Sequence, residues 1–427
     1  MAKIIFPVLL SLSLVASGVS MGFAPACQAA SKKASSKGKL MKAGKSKVKA
    51  QAAGAPALPV LDGAELLPSQ QFLGKPEIVA KFTGDMPTGV AVSFSGRIFV
   101  NFPRWQSNVD YTVAEVVDGK PVPYPSVAIN KVDFGDAKNH LISVQSVVID
   151  PKDRLWLLDT GSLEWSPVTK EGAAKMVCVE LATGNVINTI TFPKDVVLST
   201  TYLNDVRFDL RRGKAGMAFI TDSSATGDNA IIVVDLATGE SFRRLNGHVS
   251  TRAVPGFLPI VEGAPLMFVN RSGERTTIKV GADGIAVGAD GKHLYYCPLS
   301  SRKLYSVDLD ALCDRNVSDE DVAKTVCEVV EKGASDGLES DSAGRVYCTD
   351  YEHNAIHRIN LTGEHETLVC DPRLLWPDTL CLAQDGYLYF TANQLHRQPG
   401  FHAGNDLREK PYVLFRVKVD AQPVLLR

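Results

Sequence analysis

Six polar residues, Thr88, Gln145, Asn204, Asp283, Asp336 and Asp378, each open an apolar segment that recurs along the chain. If the fold brings these openings together, three carboxylates share one small space with an amide pair and a hydroxyl. Carboxylates a few ångströms apart either hold on to protons or recruit a cation. A hard cation such as Ca²⁺ or another divalent ion takes six to eight oxygens, and Asn204, Asp283 and Asp336 are the candidate metal ligands. Asp283 and Asp336 are also the candidate acid–base residues. Aromatic residues stand close by in sequence. Tyr202 precedes Asn204 by two residues and Trp376 precedes Asp378 by two, while Phe102, Trp105 and Trp165 follow neighbouring segments. Such rings can stack on an aromatic amine or face its charge. The plainer alternative is that the polar residues cap strand ends in a watered channel and the rings pack as core. That packing role is the expectation for Trp156 and Tyr295.

These positions coincide only if the segments are equivalent, and the sequence says that they are. Each copy is a short apolar strand, a Gly/Asp turn and a second apolar strand. The copies are PTGVAVSFSGRIFVNF from Pro87, VQSVVIDPKDRLWLLDT from Val144, LNDVRFDLRRGKAGMAFITDS from Leu203, ADGIAVGADGKHLYYCPL from Ala282, SDGLESDSAGRVYCTDY from Ser335 and PDTLCLAQDGYLYFTAN from Pro377. Their turns carry Ser95-Gly96, Lys152-Asp153, Gly213, Asp290-Gly291, Gly344 and Asp385-Gly386, residues that tolerate the positive φ of hairpin turns. Further strand pairs lie between copies, so each unit supplies about four strands. A lone four-stranded sheet cannot bury both faces, whereas six packed radially can. The expected fold is all-β, a six-bladed β-propeller with four-stranded blades; a β-sandwich is the alternative. In a propeller the innermost strands line the axis, so the six polar residues form a ring there. One short helix is expected from Ser318, with Ser318 capping and Asp321 at its third position.

At these residues the chain resembles the major royal jelly/yellow protein family. LISVQSVVIDPKDRLWLLDTG, DGIAVGADGKHLYYCPLSSRKLYSV, FPRW, NDVRFD, AFITDSS and LLWPDTLCLAQDGYLYFTAN carry the resemblance, from about Pro76 to Val417. It implies a six-bladed propeller with an axial ligand pocket. The family includes nutritive and secreted proteins, binders of biogenic amines and proteins linked to dopachrome conversion. More distantly, the repeats are similar to regucalcin/gluconolactonase propellers, which hold a divalent metal on the axis. The first axial position of those relatives is typically Glu; here it is Thr88, a departure that counts against a lactonase-type site. Three functions follow as expectations: binding of a small cationic or aromatic ligand; metal-dependent lactone hydrolysis or dopachrome-type tautomerisation; or a cell-surface interaction scaffold.

Charge and targeting signals narrow the setting. The chain has 427 residues, 45% hydrophobic and 22% charged, and a net charge of −1. Residues 1–50 hold nine Lys and no acid, which leaves 37 basic and 47 acidic residues in the remainder. An acidic body disfavours a nucleic-acid partner. Residues 1–30 read as a signal peptide, with export to the exterior or periplasm. Residues 31–59 read as a Lys/Ala-rich disordered linker able to touch an anionic surface, and residues 60–427 as the propeller. Cys use is compatible with export. Cys313 with Cys327 and Cys370 with Cys381 are candidate local disulfides, and Cys178 is the expected free thiol. His353 and His357 are not expected to share a metal. His396 and His402 lie in a loop after the last repeat that could cover the axial mouth.

Overall fold

The structure is a computed structural model and describes residues 72–427 apart from 107, 169 and 361. The expected signal peptide, the linker and the start of the propeller segment lie outside the described residues. Six four-stranded antiparallel sheets follow one another around an axis. Blades 1 to 5 span residues 90–123, 144–191, 203–244, 282–331 and 338–370, each running from innermost to outermost strand. Blade 6 takes three strands from Pro377–Leu382, Tyr387–Ala392 and Tyr412–Lys418. Its outermost strand is Glu77–Phe82, from the other end of the chain. That pairing, with Phe82 opposite Tyr412, closes the ring.

Each repeat buries its apolar faces against its neighbours. One core lies between blades 2 and 3 around Trp156, Val206 and Ile220, another between blades 3 and 4 around Phe219, Ile285 and Tyr296. Equivalent layers join the remaining pairs. Trp156 and Tyr295 are core residues, as expected. The short helix forms at Asp319–Lys324, with the Ser318 hydroxyl accepting from the Asp321 amide.

Two features of the repeat place the ring residues. In blades 2, 3, 4 and 6 the ladder between the first two strands slips at Val144/Ser146, Leu203/Val206, Ala282/Ile285 and Pro377/Leu380. Gln145, Asn204, Asp283 and Asp378 sit in these bulges, which re-aim a side chain out of the ladder. The Gly after the ring residue also has a purpose other than a turn. A Cβ on Gly284 would meet the carbonyl oxygen of Asp336 at 2.4 Å, and one on Gly337 that of Asp378 at 2.3 Å. These glycines let neighbouring inner strands approach the axis.

The channel is closed below. Residues 422–427 cross its floor. Gln422 O accepts from Ser342, Leu426 O from Leu210, and Arg427 donates to Pro151 O while its guanidinium lies over Phe94. Neither expected local disulfide forms, because Cys313, Cys370 and Cys381 are free thiols, as is Cys178. Cys370 lies on the outermost strand of blade 5 and Cys381 on the innermost strand of blade 6, so the fold separates them across a sheet. Cys313 ends the helix Leu309–Cys313 and packs into the apolar layer between blades 3 and 4.

Replacing Gly284 with Ala should lower stability by about 1–3 kcal/mol, the usual cost of forcing a methyl group into packed space. Chemical unfolding of G284A beside an Ala variant of Gly84, where a Cβ would meet nothing within 4 Å, checks this; equal stability of the two would contradict the close-approach role.

Candidate functional site

The six ring residues do converge at the axis, and they divide into an acidic side and an aromatic side. On the acidic side Asp283, Asp336 and Asp378 are 5, 7 and 6% exposed. Asp283 accepts from Asn204 Nδ2 at 2.6 Å and from the Ser223 hydroxyl at 3.1 Å. Asp336 accepts from Trp376 Nε1 at 2.7 Å. Asp378 accepts from Asn393 Nδ2 at 2.6 Å. The Asp283 and Asp336 carboxyls lie close enough to share a proton. Among the described residues none of the three forms an ion pair. Burial, then the charge of Asp336, raises Asp283 and Asp378 well above the ordinary carboxylate range. Burial raises Asp336 to about 6, opposed by the Trp376 and Asp283 hydrogen bonds.

On the other side the Tyr202 hydroxyl accepts from Trp105 Nε1 at 2.6 Å and donates to Gln145 Oε1 at 2.7 Å. Burial raises the Tyr202 phenol, so it stays neutral. The Trp165 ring stacks on Trp105 at 4.9 Å and on Tyr202 at 4.6 Å. Thr88 is fully buried, and its hydroxyl is taken up by Asn101 Nδ2 at 2.8 Å, so it is a structural residue of the ring. Trp376 is fully buried too. Its ring stacks on Tyr351 at 4.2 Å and on His396 at 5.9 Å, so it offers the site an N–H rather than an open face. Phe102 is core.

Several participants carry no obvious mark in the sequence. Asn101, Thr221 and Thr391, from second strands, each donate to the carbonyl of the ring residue in the next blade. The acceptors are Gln145 at 2.9 Å, Asp283 at 2.7 Å and Thr88 at 2.6 Å. Aligning the second strands as well as the first would have found them. Arg207 sits deeper on the axis, pairs with Asp205 at 2.8 Å and reaches Glu339 at 3.9 Å. It divides the carboxylates from a cavity of about 80 Å³ near the floor, lined in part by Val147, Cys381 and Val424. A cover also forms over the site. Residues 254–280 and 395–405 share an apolar core with Trp376, and Glu262 ties them together through His396 at 2.8 Å and through Arg397. The loop bearing His396 thus packs on Trp376, whose indole N–H reaches Asp336. His353 and His357 meet at the Asp350 carboxylate, at 2.8 and 3.1 Å.

A divalent ion on Asn204, Asp283 and Asp336 fits this arrangement poorly. It would have to reverse the Asn204 amide, whose N–H₂ now faces Asp283. Among the described residues no three His, Cys, Asp or Glu side chains are set to hold a metal.

Fold and site together define a six-bladed propeller with an acidic axial mouth walled on one side by aromatic rings. The chain belongs to the major royal jelly protein family, whose model matches residues 142–422. The first blade precedes that stretch. The chain is 26% identical to major royal jelly protein 1 of Apis mellifera over 62% of each chain. It is 28% identical to the yellow-related salivary protein LJM17 of Lutzomyia longipalpis over 54% of this chain and 58% of that one. The chain thus spans about three fifths of the length of the relatives it matches. A solved putative gluconolactonase aligns with 82% of this chain and 94% of its own, at 11% identity and a TM-score of 0.50, a likeness of fold alone.

The pH dependence of stability follows from the raised carboxyls. A carboxyl with a folded pKa above its unfolded value stabilises the fold most below the unfolded value, and loses that contribution as pH rises through the folded one. Melting temperature should therefore fall from pH 4 through about 6, where Asp336 ionises. Asp283→Asn keeps an N–H donor to Asp336 without a dissociable proton, and should flatten that fall. An unchanged slope in D283N would contradict the shared proton.

Proposed function

We propose that this chain is an exported propeller that binds a small organic cation, with an aromatic ring, at the axial mouth. The observation that supports it best is the group of three buried carboxylates, Asp283, Asp336 and Asp378, with no ion-pair partner among the described residues. Such a group is costly to ionise alone. An ammonium ion supplies the missing charge, and the hydrogen-bonded rings of Tyr202 and Trp105 supply a stacking surface beside it. Export is the reading of residues 1–30, and it fits the salivary relatives the chain is similar to.

Isothermal titration with tryptamine and phenethylamine tests this. Saturable binding should strengthen as pH rises through about 6, by up to tenfold per unit for each proton displaced. Asp283→Asn with Asp336→Asn should weaken it at least tenfold. Ca²⁺ should raise the melting temperature less than either amine. Absence of saturable amine binding at pH 7.5 would contradict the proposal.

A second reading rests on the shared proton itself. Asp336 as base and Asp283 as acid could move a proton between two atoms of a bound enolisable ring, the tautomerase expectation. Turnover of dopachrome that survives Asp283→Asn would exclude it.

A further inference from the structure

The aromatic side of the mouth is already occupied by one of the protein's own side chains. Trp105 and Tyr202 are locked edge to edge by the hydrogen bond between indole N–H and phenol oxygen. Their orientation is fixed further by Gln145 at one end and by the Tyr202 backbone amide, which donates to Asp222 at 2.9 Å. They make a rigid aromatic floor with every polar atom satisfied. Trp165 lies across both rings and covers them.

Trp165 is itself poorly held. It is 58% exposed, unlike Trp156 and Trp376, which are buried. It and the residue before it are both in the left-handed region, Glu164 at φ 51° and Trp165 at φ 61°. Neither is a glycine, so this backbone is strained, and strain of this kind concentrates at clamps and switches. The mouth meanwhile needs an opening, because the three carboxylates beside the floor are almost fully buried.

We infer that Trp165 is a specificity-determining place-holder: its indole fills the aromatic seat on Trp105 and Tyr202, and only a ligand whose own ring can stack there displaces it. This rests on the amine-binding reading above. A cation without a ring gains the carboxylates but not the seat. An aromatic cation gains both and must first evict Trp165, so the resident ring sets a threshold that the ligand's ring has to pass.

The test compares tryptamine with n-butylammonium by isothermal titration on the intact chain, in the wild type and in Trp165→Ala and Trp165→Phe. Trp165 is exposed, so its removal leaves the interblade cores intact, and melting curves of the variants check that. Trp165→Ala should bind tryptamine about tenfold more tightly and leave n-butylammonium unchanged; Trp165→Phe should fall between. Weaker or unchanged tryptamine binding in Trp165→Ala overturns the inference while leaving amine binding intact. Equal tightening for both amines overturns it as well, since Trp165 would then be a general cover. If neither amine binds any of the three proteins, the amine-binding reading fails and the place-holder with it.

Discussion

The burial of two neighbouring carboxyls, Asp283 and Asp336, on the propeller axis is the constraint the site is built around. Two neighbouring carboxyls that are almost fully buried resist ionising together, so the pair keeps a proton that separate carboxylates would give up. The surroundings serve that state. Asn204, Ser223 and Trp376 aim donors at the pair, and Asn393 aims one at Asp378. Arg207 is held away by Asp205, so its charge is already committed one layer down. Buried Lys332, whose ammonium donates to the Gly333 carbonyl, lowers Asp336 without forming an ion pair with it, so the site holds more carboxyls than paired cations.

Blades 1, 3 and 6 also hold the ring residue of the next blade. Side chains of second strands bolt the carbonyls of Gln145, Asp283 and Thr88 from the adjacent blade. Bulges turn the ring side chains towards the axis, and bare glycines let inner strands close in. Closure by Glu77–Phe82 against the last repeat then fixes the circle, so that a slip in any blade would be felt at the axis.

Much of this was legible in the repeat. Six copies with turn residues at matching places led to six blades, and alignment of their first polar residue led to a ring that does converge. What stayed hidden needs the third dimension. Asp283-Gly284 reads equally as a hairpin turn and as a close approach, and only the neighbouring strand decides between them. Trp105, Trp165 and Trp376 all read as loop indoles; one became part of a floor, one its exposed cover and one a buried N–H donor. The Cys370–Cys381 pairing failed because proximity in sequence joins an outermost strand to the next innermost one. Glu262, far from any ring residue in the chain, reaches His396 through an insertion that carries no repeat signal.

The proposed site holds protons on its buried carboxyls and yields them to a bound cation. Infrared difference spectroscopy of the carboxylic acid C=O band tests it most directly, at pH 7, for the wild type against Asp283→Asn and with and without tryptamine. The account predicts a protonated carboxyl band in the wild type that is missing from Asp283→Asn and bleaches when the amine is added. A wild type with no such band at pH 7, or a band indifferent to both changes, would contradict it.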